Sequence, residues 1–147
     1  MKVELRLVPE RAEPALIVEA PALTPAVEEL LGRLEALDDG TLPGFRGEKA
    51  FLLKTADLIR FYGENKAVFA EDGAGERYEV KARLYELEER LDPHAFVRIS
   101  NSEIVNLKKV TALDLTLGGT IKMTLAGGTV CWVSRRNVKN IKRALGL

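Results

Sequence analysis

Two pairs of adjacent glycines, Gly118-Gly119 and Gly127-Gly128, cut the stretch 113–133 into three short runs, 113–117, 120–125 and 129–133. Connections this short close antiparallel pairs, whereas a parallel crossover needs a dozen residues or more. The three runs are therefore expected to form an antiparallel meander. Similar punctuation recurs upstream. Residues 50–53 are an apolar run. Residues 58–62 and 67–70 flank Gly63-Glu64-Asn65-Lys66 as a hairpin, and Asp72-Gly73-Ala74-Gly75 turns the chain into 77–80. Residues 96–99 form a strand entering the Ser100-Asn101-Ser102 loop, and 104–107 are expected to make one turn of helix. Leu84, Leu87 and Leu91 share one face of a short helix that Asp92-Pro93 ends. Ser134 is placed to cap a last helix whose apolar face is Val138, Ile141 and Leu145. The fold class is α+β, dominated by β from residue 45 onward.

The first forty residues read differently. Val3, Leu5 and Leu7 alternate with Lys2, Glu4 and Arg6, the period of a strand, which Pro9 ends; residues 16–18 read as a second strand. Thr24-Pro25 starts a helix with an apolar face of Val27, Leu30, Leu31, Leu34 and Leu37, and Gly40 stops it. Residues 41–47, with Pro43, Gly44 and Gly47, read as a linker. Residues 1–44 are thus expected to be a strand–strand–helix extension, too small for its own core and a possible dimerisation unit, and 45–147 a second domain.

Charge divides the chain in another way. The whole is neutral, but residues 94–147 carry nine Lys+Arg against two acids, a net of +7, and residues 1–93 balance it with −7. One basic third beside an acidic remainder points to a polyanion met by one face. No apolar run approaches the roughly 18 residues of a membrane span, and the charged alternation at the N-terminus does not read as an export signal. One cysteine permits no internal disulfide, which fits the cytoplasm, and one cysteine with one histidine cannot build a four-ligand zinc site. No catalytic constellation, phosphate loop, metal site or cofactor site stands out. His94 reads as a surface residue, Cys131 as a buried small apolar one, and Trp132 as pointing to the opposite face.

The polar candidates each keep two readings. Asn101 in its serine-flanked loop can pair with an adenine edge or hold a phosphate, or simply tolerate a tight turn. Arg135 and Arg136 follow Ser134 at a helix start, where cations oppose the helix dipole. They are either a solvated basic end or a guanine-reading fork beside a phosphate contact. Lys66 is a hairpin tip or a contact. Lys108, Lys109 and Lys142 are solvated lysines or phosphate contacts.

The strings FVRISNSEIVN at 96–106, GTVCWVSRRNVKNIK at 128–142, DLIRFYGENK at 57–66 and LYELEERL at 84–91 resemble the LytTR-type DNA-binding domain of bacterial transcription regulators. The resemblance covers roughly the last hundred residues, the size of one domain. It implies small stacked sheets whose loops enter successive major grooves of double-stranded DNA, and a sequence-specific, non-enzymatic regulator. It also implies that Asn101 contacts DNA, that Arg136 reads a base, that Ser134 contacts the backbone nearby, and that Lys66 lies in a third contacting loop. Paired operator sites imply a homodimer. About 45 residues precede the domain, too few for a phosphorylatable receiver. The other reading is a protein-interaction module that uses the acidic N-terminal part.

Overall fold

The structure, a computed structural model, describes residues 1–12 and 14–147, with the backbone alone for 35–39. It divides into two compact units, Met1–Glu35 and Ala36–Leu147.

In the first unit, helix α1 (Pro25–Asp39) starts as the sequence indicates: the Val27 N–H donates to Thr24 Oγ1 at 3.3 Å and Pro25 takes the first helical position. Val27, Leu30 and Leu34 are half-buried, and Val18, Ala20, Ala22 and Leu23 gather with Val27 and Leu31 around a shallow apolar depression. The expected place of Leu37 on this face lies outside the described side chains. The two expected strands are not formed: among the described residues before α1 there is no strand. Alternation makes a segment fit for a sheet, but a strand exists only when a neighbour accepts its hydrogen bonds.

The second unit is built on a seven-stranded antiparallel sheet in the order β2-β1-β5-β4-β3-β7-β6. Its strands are β1 (Thr41–Arg46), β2 (Lys49–Lys54), β3 (Leu58–Glu64), β4 (Ala67–Asp72), β5 (Arg77–Val80), β6 (Phe96–Ser100) and β7 (Glu103–Asn106). Helix α2 (Leu84–Arg90) joins β5 to β6. A three-stranded sheet, β10-β9-β8, follows from β8 (Val110–Asp114), β9 (Ile121–Leu125) and β10 (Val130–Val133), and α3 (Arg135–Ala144) ends the chain.

Two expectations are overturned here. The supposed linker is strand β1, paired along its length with β2. Its Gly44 is not a breaker: a Cβ there would sit 2.5 Å from Leu53 Cδ1 and 2.9 Å from Tyr78 Cβ, so glycine is required by the close approach of β2 and β5. The supposed helical turn at 104–107 is strand β7, followed by a 3-10 turn at Leu107–Lys109. Adjacent apolar Ile104 and Val105 look helical only if one face is buried; in β7 they point to opposite faces, both buried.

That two-sided burial organises the unit. On one face of the large sheet, Leu42, Leu58, Phe61, Val80, Phe96 and Ile104 pack with Leu84 and Leu87 of α2. On the other, Ile59, Ile99 and Val105 pack with Ile121, Met123, Cys131 and Val133 of the small sheet and Ile141 of α3. Strands β3, β7 and β6 form the wall between two cores, so the turns at their ends are held from both sides. No helix among the described residues is long and apolar enough to cross a membrane.

Candidate nucleic-acid interface

Three segments meet at one end of that wall. The first is the β3–β4 turn. Asn65 and Lys66 both take positive φ, 50° and 64°, in a two-residue hairpin closed by the Glu64–Ala67 pair. Lysine has no preference for this region, and holding it there costs on the order of 1 kcal/mol. The turn leaves the Lys66 side chain exposed beyond the sheet.

The second is the β6–β7 turn, Ser100-Asn101-Ser102. The register shifts between Arg98 and Ser100, which breaks the ladder as the chain turns. Arg98 fixes the turn from inside: its Nε donates to Ser100 O at 2.7 Å, its Nη2 to Asn101 O at 2.6 Å, and its Nη1 bonds Glu88 of α2. The Gly63 N–H donates to Ser102 O at 2.8 Å, joining this turn to the stem of the first hairpin. With the Asn101 carbonyl occupied, its side chain is left pointing outward, exposed.

The third is the start of α3. The Ser134 N–H donates to Ile99 O at 2.8 Å, which sets the helix beside the second turn. Ser134 occupies the N-cap position, but its hydroxyl does not cap the backbone as the sequence indicated; it accepts from Asn137 Nδ2 at 2.7 Å. From the first turn of α3 the Arg136 Nη2 donates to Asn101 Oδ1. Asn101 thereby presents its amide N–H groups outward, and Arg136 keeps its remaining donors. Arg135 lies across Gly119 of the β8–β9 loop, where a Cβ would come within 2.9 Å of its Nε.

The charges at this end are arranged unevenly. Each nearby carboxylate is taken by its own arginine: Glu64 by Arg77 at 3.0 Å, Glu103 by Arg60 at 3.0 Å, and Glu88 by Arg98. Among the described residues Lys66, Arg135 and Arg136 form no ion pair. Lys66, Arg135 and Arg136 are therefore exposed and uncompensated, the condition for attracting a phosphate backbone.

Arg60 stands behind the face. It also bonds Glu71 at 3.2 Å, lies 4.2 Å from the Tyr62 ring and reaches to within 3.9 Å of Cys131 Sγ, while Thr129 Oγ1 donates to Glu71 at 2.9 Å. Burial works against its charge, but the hydrogen bonds to Glu71 and Glu103 outweigh it and hold the guanidinium above its usual pKa. This cluster pins the loop before β10, and so the approach to α3, onto β3 and β4. Burial, with Glu103 nearby, pushes the Cys131 thiol up to about 12.

Of the residues singled out from sequence, Lys66, Asn101, Ser134, Arg135 and Arg136 come together. Lys108 and Lys109 do not: they follow β7 at the opposite end of the β6–β7 hairpin from Asn101. Lys142 lies two turns along α3 from Arg135, about 10 Å away. Arg98 is marked in the sequence only by its charge, since its partners are set by the turn and by α2. The one available signal was strand alternation, which places Arg98 and Ser100 on the same side.

The sequence model described as "LytTr DNA-binding domain" matches residues 48–146. An uncharacterized HTH-type transcriptional regulator of Staphylococcus aureus strain MSSA476 is 34% identical over 148 residues, covering 100% of this chain and 99% of the relative. Its counterpart in strain N315 matches with the same identity and coverage. Among solved structures, a LytTr DNA-binding domain from Bacillus cereus superimposes with a TM-score of 0.69 at 18% identity, over 73% of this chain and 97% of that one. The relatives' names carry a helix-turn-helix label. In this chain α1, α2 and α3 are each separated by strands, so among the described residues no two helices form such a pair.

Proposed function

Because the chain belongs to the LytTr DNA-binding domain family and is a bacterial DNA-binding transcription regulator, we propose that it reads a specific sequence through turns rather than a helix laid in the groove. The β3–β4 turn, the β6–β7 turn and the start of α3 form the reading face, with the major groove of double-stranded DNA as its partner. In this reading Arg136 takes a guanine, Asn101 a base edge, and Ser134, Arg135 and Lys66 the flanking backbone. Lys108, Lys109 and Lys142 serve more distant phosphates. The observation that carries the reading is the Arg136–Asn101 hydrogen bond, which links two donor-rich side chains from separate elements on a face whose acids are already paired. The part before β1 is the dimerisation unit of a homodimer on paired sites, and the strands onward are the DNA-binding domain. The protein acts in the cytoplasm, where bacterial DNA lies, and binds without catalysing a reaction.

The test is titration onto a site selected from a random DNA pool and onto random DNA of equal length, at several salt concentrations. Specific binding is expected about a thousandfold tighter or more, with affinity falling steeply as salt rises. Equal affinity for both DNAs would refute sequence reading.

A further inference from the structure

Residues 1–8 present a strand pattern with no strand partner among the described residues. Lys2 Nζ reaches Glu4 at 2.8 Å, an i,i+2 pair that places both on one side of an extended backbone. On the other side Val3, Leu5 and Leu7 are 86%, 88% and 81% exposed. Three large apolar side chains in a row, left in water, indicate a covered surface in the functional state. A turn follows at Pro9, where the Arg11 N–H donates to Val8 O at 3.1 Å, so the segment has a defined end.

Among antiparallel registers that pair at least five of residues 2–8, one matches both the apolar side chains and the charges at its centre, with Lys2 facing Val8 of the other copy at each end; a register about Val3 also matches charges but joins only residues 1–5. Pairing two copies antiparallel about a two-fold axis at Leu5 sets Leu5 against the partner's Leu5 and Val3 against the partner's Leu7. The same register sets Glu4 against the partner's Arg6, twice by symmetry. Moving the axis to Glu4 would oppose two glutamates and set Lys2 against an arginine. Moving it to Arg6 would oppose two arginines. An axis between residues would set charged side chains against apolar ones. A parallel in-register pair would stack like charges throughout. Charge, hydropathy and the length paired thus select the Leu5 register together.

We propose that two copies of this chain join through residues 2–8 as an antiparallel ribbon centred on Leu5. The six side chains of Val3, Leu5 and Leu7 from the two copies form one apolar face. A two-stranded ribbon is marginal alone, and the stripe of α1, with Val27, Leu30, Leu31 and Leu34 in the same unit, supplies the layer it packs on. This deepens the homodimer reading and rests on it. It also accounts for a strand pattern that forms no strand within one chain.

Sedimentation equilibrium of the full chain tests it by charge exchange. Glu4→Arg alone, or Arg6→Glu alone, sets like charges across both symmetric positions. Each is expected to weaken the dimer by about tenfold. The double exchange Glu4→Arg/Arg6→Glu is expected to restore the wild-type constant. An equimolar mixture of the two single variants is expected to form mixed dimers where neither dimerises well alone. A wild-type dimer that is indifferent to all these changes overturns the ribbon and leaves the homodimer standing. A wild-type chain that is monomeric at every concentration, while still preferring its selected DNA, overturns both the ribbon and the homodimer and leaves DNA reading intact.

Discussion

Removing the Arg136 guanidinium separates base reading from every structural role. In the free protein Arg136 is exposed and its one described partner is Asn101 Oδ1. An exposed bond of this kind contributes less than about 1 kcal/mol to stability. For a chain of 147 residues that corresponds to a melting shift of no more than about 4 °C. On DNA the expected loss is larger, because a bidentate arginine–guanine pair discriminates by about 1–3 kcal/mol, or roughly 5- to 150-fold. The Asn101 bond adds a second consequence. Asn101→Ala leaves Arg136 in place but frees its fork, so each single change weakens both contacts. The double variant should then lose less than the sum of the singles by about 0.5–2 kcal/mol. Arg136→Lys should recover only part, since an ammonium cannot reproduce the planar fork. The assay is fluorescence anisotropy of wild type, both singles and the double. Each is titrated on the selected site, on the site with one G·C pair changed, and on random DNA, with thermal melts alongside. Strictly additive losses would refute the coupling. Equal loss on every DNA would reassign Arg136 to a phosphate, and a melting drop well beyond 4 °C would make it structural.

Lys108→Ala, Lys109→Ala and Lys142→Ala lie away from the three turns and should weaken specific and random DNA by similar factors, lowering the salt slope by about 0.9 for each phosphate lost; a change in base preference would contradict their placement. Arg60→Met leaves Glu71 and Glu103 facing each other in the partly buried cluster and should cost about 3 kcal/mol in urea unfolding, with DNA affinity at low temperature nearly kept. The Cys131 thiol holds its proton to about 12 in the fold against an ordinary 9.0. Between those values the unfolded chain binds fewer protons than the folded one. Stability should therefore fall as pH rises through that window, by at most about 1.4 kcal/mol per pH unit, and Cys131→Ala should remove that part of the slope. Gly44→Ala forces a methyl into Leu53 and Tyr78 and should destabilise by about 1–3 kcal/mol; a neutral result would mean β1 can shift away.

The sequence by itself determined what short-range chemistry decides. Adjacent glycines and a hairpin turn imposed antiparallel β-structure, Thr24-Pro25 opened α1, and the segregation of charge marked one basic third. Asn101 and Arg136 were legible as candidates because their residue types and settings are local facts. The burial of Cys131 and the exposure of Trp132 followed from alternation alone. Tertiary structure decided whatever depends on a neighbour distant in sequence. Gly44 reads as a breaker until β2 and β5 close on it, and Ile104-Val105 reads as helix until both faces of β7 are covered. The alternation at Val3, Leu5 and Leu7 makes no strand while no edge among the described residues accepts its hydrogen bonds. The bond from Arg136 to Asn101 spans thirty-five residues, and the clamp of Arg98 on its turn reaches Glu88 in another element. Local pattern sets what a segment is able to become, whereas hydrogen-bond partners and two-sided burial exist only once distant segments meet.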